Sequence, residues 1–83
     1  MTTAITDIEQ MPPAAVEVEA SILGAMLIDN RCIGDVAAVL GTDGSRYYDG
    51  RHGRIYAAIL AVYADNVPVD QITISTELRK RGE

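Results

Sequence analysis

The chain has no tryptophan and no phenylalanine, one cysteine, one histidine and one lysine. Each shortage closes off a class of chemistry. A lone Cys32 excludes an internal disulfide framework and leaves too few thiolates for a cysteine-based zinc site, so a reducing, cytoplasmic setting is the simplest expectation. His52 has no second histidine, no cysteine nearby in sequence and no paired-carboxylate motif such as HExxH. It is therefore read as a core or boundary histidine bonded to a carbonyl rather than as a metal ligand or general base. No window approaches the roughly 18 uninterrupted apolar residues of a membrane span. The first residues also lack a basic n-region followed by an apolar run, and no membrane partner is expected. Seven cations against twelve carboxylates leave a formal charge of −5, which argues against a free-standing nucleic-acid binder, because such binding rests on Lys and Arg neutralising phosphates. The glycine-containing GTDGSR at 41–46 lacks the lysine of a phosphate-binding P-loop and reads as a turn.

What the chain does have is aliphatic side chains at helical spacing. Hydrophobic residues make up 48% of its 83 residues, and the core must be built from aliphatics and four tyrosines, whose hydroxyls are expected to reach the surface. A domain of this size buries only about 60% of its unfolded surface, so its stability margin is thin.

The densest apolar run is Val16–Leu40. On a wheel of roughly 100° per residue, Val16, Ala20, Leu23 and Leu27 share one stripe, which Ile22 and Met26 widen. After a polar break at Asp29-Asn30, the residues Ile33, Val36, Ala37 and Leu40 repeat the pattern, giving two helices joined at a tight corner. Asn30 is placed to end the first or cap the second, and Gly41 to stop the second. Pro12-Pro13 closes an arm over 1–11 without sustained periodicity and suits the first turn of a helix. Glu19 falls within the apolar arc, so it must either leave the core or meet a donor there. Gly24, in mid-helix, implies close approach by another backbone.

A third helix follows Asp49, a good N-cap, with His52, Ile55, Tyr56, Ile59, Val62 and Tyr63 as its buried stripe. Pro68 breaks the chain into a short extended link. Thr73 is the expected cap of a fourth helix that buries Ile74 and Leu78, with Asp70 as the competing cap. Arg79, Lys80 and Arg81 suit its C-terminal end. No nucleophile–base set, metal spacing, nucleotide loop or internal repeat is present. The fold class is all-α, a compact bundle of four short helices at about 13–28, 31–40, 50–64 and 74–81, behind a flexible arm.

The order of residues carries a further reading. PPAAVEVEASILGAMLIDN, then YYDGRHGRIYAAILAVY, then VPVDQITISTELRKRG resembles the amino-terminal domain of bacterial replicative DNA helicases, the DnaB family. There a Pro-Pro opening leads into an EAE-x-S-V-L-G-x-L-L-x-D-N helix, an F-Y…H-x-x-I-Y-x-A-I-x-x-L-Y helix and a P-x-D-x-x-T-x-x-x-x-L-x-x-x-G ending. Pro12, Glu17, Glu19, Gly24, Asn30, Tyr48, His52, Tyr56, Pro68, Asp70, Thr73 and Gly82 are among the matching positions. Val18 stands in place of the usual Ala and Tyr47 in place of Phe.

The resemblance implies that residues 12–83 are the collar domain of a ring-shaped hexameric helicase, ending before a helical hairpin and an ATPase domain. It implies no cofactor for this segment, with ATP and Mg2+ belonging to the absent domain, and no catalysis of its own. The implied partners are other collar domains, primase and a helicase loader, with single-stranded DNA met only through the whole ring. Arg31, Asp35 and Val39, together with Tyr47 and Tyr48, are the candidate contact residues, and this segment alone is expected to be a monomer or weak dimer. Glu19, His52 and Arg54 are candidate structural polar residues, with the His52 ring or Arg54 as the partner of Glu19. Two other readings stay open: a small DNA-binding domain using the basic fourth helix, and a stand-alone adaptor.

Overall fold

The computed structural model describes residues 13–42 and 44–82. Both the arm assigned to 1–11 and Asp43 lie outside the described residues. Among the described residues four α-helices form, α1 Pro13–Ile28, α2 Ile33–Leu40, α3 Gly50–Ala64 and α4 Gln71–Lys80, with a 3-10 turn Asn30–Cys32 leading into α2. There is no strand among the described residues, in keeping with the all-α expectation.

Helix α3 is the axis. Tyr56, Ala58 and Ile59 on it are fully buried, and its neighbours α1 and α4 bring Leu23, Met26 and Ile74 into the same apolar cluster. Helix α2 adds its first residue, Ile33, and the link before α4 adds Val69. Tyr63 ends the expected stripe at the surface, 41% exposed.

On α1 the buried residues are Glu19, Leu23 and Met26, spaced i, i+4, i+7 on one helix face. Ala20 is exposed, so the core-facing stripe is rotated from the one expected through Val16, Ala20, Leu23 and Leu27. The reason is that Glu19 enters the interior with its hydrogen-bond partners, which removes the penalty that would have turned it outward.

Asp29 caps the 3-10 turn through the Arg31 N–H at 3.0 Å. Asn30 serves the end of α1, as expected, and also makes a long-range clamp. Its amide nitrogen donates to the carbonyls of Met26 at 2.8 Å and Val69 at 3.0 Å, and its amide oxygen accepts from the Val69 N–H at 2.8 Å. This gives the extended link the backbone pairing that Pro68 cannot supply. Gly41, at φ 85°, closes α2 by donating to the carbonyl of Ala37.

The fourth helix begins at Gln71, three residues before the expected start. Asp70 is its cap: the carboxylate accepts from the Thr73 N–H and the Thr73 hydroxyl accepts from the Asp70 N–H, both at 2.9 Å. Thr73 is thus the reciprocal member of a capping box rather than its first residue.

Two glycine positions exchange roles. Nothing lies within 4 Å of a Cβ built on Gly24, so no backbone approaches there. The close approach is between Gly44 and Gly53, where a Cβ on Gly44 would stand 2.5 Å from the Gly53 carbonyl oxygen. It seats the loop after α2 on the first turn of α3.

Candidate functional site

The polar centre of the molecule is built by three segments. Helix α1 delivers the Glu19 carboxylate, which accepts from the backbone N–H of Tyr48, from the N–H of Asp49 at 3.2 Å and from Nδ1 of His52 at 2.9 Å. This contact requires the ring proton on Nδ1. The partner of His52 is therefore a carboxylate and not the expected carbonyl. Of the two candidates for meeting Glu19, the His52 ring is the one that does so.

Burial pushes the Glu19 carboxyl up. The hydrogen bonds from His52, Tyr48 and Asp49 together outweigh it and hold the group below its ordinary value of 4.5. Glu19 is thus a charged clamp that fixes the loop entering α3. Arg54, the third structural candidate, has its guanidinium 3.7 Å from a Cβ built on Gly50, over the start of α3.

Next along the chain, Asp49 caps α3 by accepting from the Arg51 N–H at 2.9 Å and pairs with the Arg51 guanidinium at 2.8 and 3.1 Å. Those bonds hold its carboxyl far below the usual carboxylate range. The pair of caps, Glu19 from outside and Asp49 from within, leaves the Tyr48 backbone little freedom. Its ring projects outward.

The five contact candidates divide. Tyr47 is buried, its ring centroid 5.0 Å from that of Tyr56, and this corrects its placement on the surface. Its hydroxyl is buried too, with no hydrogen-bond partner among the described residues. Burial, followed by the nearby Tyr56 and Glu19, pushes its pKa to about 12. The Tyr56 hydroxyl also stays inside, donating to the Gly41 carbonyl at 2.6 Å.

Tyr48 is 62% exposed and borders a shallow, mainly apolar depression of about 360 Å³ with Ala15, Val18, Glu19 and Arg46. Val39 is 71% exposed, and Asp35 and Arg31 are exposed beside it, Arg31 in a two-pronged pair with Asp29 at 2.9 and 3.0 Å. Neither of these nor Asp35 lines the Tyr48 depression, so the candidates form two surfaces and not one. Val18 and Arg46 complete the Tyr48 surface, and sequence reasoning passed over both. The signal was present in Val18, which lies off the buried arc of α1.

Chemically the arrangement holds a loop and presents a side chain. No group of three His, Cys, Asp or Glu residues capable of holding a metal ion occurs among the described residues. No helix among them is long and apolar enough to cross a membrane.

Residues 11–83 match the model of the DnaB-like helicase N-terminal domain. The chain belongs to that family. The replicative DNA helicase DnaB of Rhodothermus marinus is 43% identical over 74 residues, which is 89% of this chain and 8% of that protein. The corresponding helicase of Leifsonia xyli subsp. xyli is 41% identical over 76 residues, 90% of this chain and 16% of that protein. That of Mycobacterium leprae is 36% identical over 76 residues, 92% and 12% of the two chains. The chain thus spans under a fifth of the length of these relatives. No solved structure gives a significant match. In this DnaB-like N-terminal domain, the Glu19–His52 contact spans 33 positions and joins α1 to α3.

Proposed function

We propose that this chain is the collar domain of a hexameric, ATP-dependent replicative DNA helicase, acting in the cytoplasm as a docking and assembly module without catalysis of its own. ATP and Mg2+ belong, in this reading, to a separate ATPase domain, and single-stranded DNA is met through the whole ring. The observation that carries the reading is the family match over residues 11–83. Two exposed surfaces support a docking role. One is Tyr48 with Val18 and Arg46; the other is the α2 face of Asp35 and Val39 with Arg31 of the preceding 3-10 turn. An exposed tyrosine held on a fixed backbone is the kind of anchor that concentrates binding energy, because little conformational freedom is lost on contact. Primase is the proposed partner at one of these surfaces, with a helicase loader or a neighbouring collar domain at the other.

The rival reading, a DNA-binding domain using the basic end of α4, is weakened because one carboxylate engages two of the three cations there. Glu77 pairs with Arg81 at 2.9 Å and with Lys80 at 3.6 Å. The test is to introduce Tyr48→Ala and Asp35→Arg separately into the full protein and to measure primase affinity and ring assembly. Roughly tenfold weaker binding or impaired assembly from at least one variant is expected. Unchanged values for both variants overturn the proposal.

A further inference from the structure

Two exposed aliphatic side chains border one groove. Val67 and Ile72, 42% and 76% exposed, line a mainly apolar groove of about 230 Å³ between the end of α3 and helix α4, together with Val62 and Thr76. The Thr76 hydroxyl donates to the Ile72 carbonyl at 3.0 Å, which satisfies its polar atom. The groove lies in a stretch without cations: residues 55–78 hold Asp65, Asp70 and Glu77 and no lysine, arginine or histidine. Asp65 lines the groove, and none of the ion pairs among the described residues includes it. It also stands at the C-terminal end of α3, where the helix carbonyls add partial negative charge. The one cation among the described residues of the lining is Lys80. It lies about two turns along α4 from Ile72 and pairs with Glu77 at 3.6 Å.

We infer that this groove receives an amphipathic helix of a partner protein, with aliphatic side chains against Val67 and Ile72 and a lysine or arginine against Asp65. Covering the two exposed aliphatics supplies the apolar contact, and a cation at Asp65 meets both a carboxylate and the helix-end carbonyls. An extended peptide does not suit. Adding a strand needs free N–H groups on the receiving edge, and those of the adjoining link are taken: Asp65 and Val67 donate to the Val62 carbonyl, Asn66 to that of Tyr63, and Val69 to the Asn30 side chain, while Pro68 has none. A helix brings its backbone bonds with it. A second copy of this chain suits no better, because α1 and α2, the helices with exposed Val18, Ile28 and Val39, carry carboxylates and no cation. The inference rests on the docking role proposed above for its biological setting, but neither Tyr48 nor the α2 residues line the groove.

The test is fluorescence anisotropy of the full chain with a labelled helical peptide of alanine, leucine and lysine, its leucines on one face and its lysines flanking them. Saturable binding is expected. Ile72→Ser should weaken it about tenfold. Asp65→Asn should weaken it about two- to fivefold, the range of an exposed ion pair, and should reduce its dependence on salt. Val39→Ser, which removes an exposed aliphatic outside the groove, should leave it unchanged, and helical circular dichroism should be retained in all three. The same peptide with glutamates in place of lysines should bind more weakly. Absence of binding by the parent chain overturns the inference, as does equal binding in folded Ile72→Ser or Asp65→Asn, a like loss in Val39→Ser, or a glutamate peptide held as tightly as the lysine one. A dimer of the chain that Ile72→Ser dissociates in sedimentation also overturns it, putting a second copy in the groove. None of these outcomes bears on primase binding by Tyr48→Ala, so the two proposals fail separately.

Discussion

Nδ1 of His52 lies 2.9 Å from the carboxylate of Glu19, across 33 positions of sequence, with both side chains largely shielded from water. The same carboxylate accepts the backbone N–H groups of Tyr48 and Asp49. One side chain therefore fixes the register between α1 and α3 and the conformation of the loop that presents Tyr48. Glu19→Ala should destabilise the chain by about 2–3 kcal/mol, because shielded donors lose their acceptor. Glu19→Gln should lose less, since its amide oxygen still accepts. Urea unfolding measures both; a loss under about 0.5 kcal/mol for Glu19→Ala, the range of ordinary surface substitutions, would contradict the clamp.

The same contact sets a pH dependence. The Glu19 carboxyl is held below 4.5 in the folded chain, so the unfolded chain takes up its proton first as pH falls. The contribution of this group is fully present above 4.5, and it is lost as pH drops through the lower, folded value. Thermal melts between pH 7 and pH 3 should show the Glu19→Gln variant converging with the parent at the acid end. A constant gap across that range would be the contrary result.

Tyr47 carries the opposite sign. Its pKa is raised to about 12, so the unfolded chain ionises first as pH rises above 10. Stability from the neutral hydroxyl is present below 10 and disappears as pH climbs through about 12. Because the hydroxyl is buried with no partner among the described residues, Tyr47→Phe should leave stability unchanged or raise it by about 1 kcal/mol, and it should remove the alkaline loss attributable to this group. Marked destabilisation by the loss of one oxygen would show that the hydroxyl is satisfied.

Glycine substitutions should separate cleanly. Gly24→Ala meets open space in a helix and should stabilise by about 0.5–1 kcal/mol through helix propensity. Gly44→Ala adds a side chain at φ 76° that stands 2.5 Å from the Gly53 carbonyl oxygen, and it should cost about 2–4 kcal/mol. Denaturation midpoints that move in the same direction for the two variants would refute the assigned close approach.

Asn30→Ala removes three hydrogen bonds, two of which tie the Val69 backbone to the end of α1. A loss of about 1–2 kcal/mol is expected, with faster amide hydrogen exchange at Val69 than in the parent. Exchange unchanged at that amide would remove Asn30 as the clamp of the link.

Local chemistry made much of the fold legible. Asp49 as a cap, Gly41 as a stop, Pro68 as a breaker and the Ile74–Leu78 pair each act through residues within one helical turn. The start of α4 was open to two caps because Asp70 and Thr73 both have the chemistry, and in the fold each caps the other's backbone. Long-range contacts were less accessible. The partner of Glu19 was narrowed to two side chains by its misfit on an apolar arc, yet nothing local distinguishes His52 from Arg54. Asn30 and Val69 stand 39 positions apart, and an asparagine after an aspartate reads equally as a helix end. Tyr47 and Tyr48 are adjacent and chemically identical, so only the packing of one ring on Tyr56 decides which faces water. Gly24 looked like the crowded glycine because it lies mid-helix, but crowding depends on what the fold brings near.

The docking role proposed for this chain works through its exposed Tyr48 surface or its α2 face. Titrating purified primase against the chain alone, by isothermal calorimetry, tests it most directly. Saturable binding, weakened roughly tenfold by Tyr48→Ala or Asp35→Arg at unchanged helicity, is the predicted result. Absence of binding by the folded parent chain, or equal affinity for the parent and both variants, would contradict it.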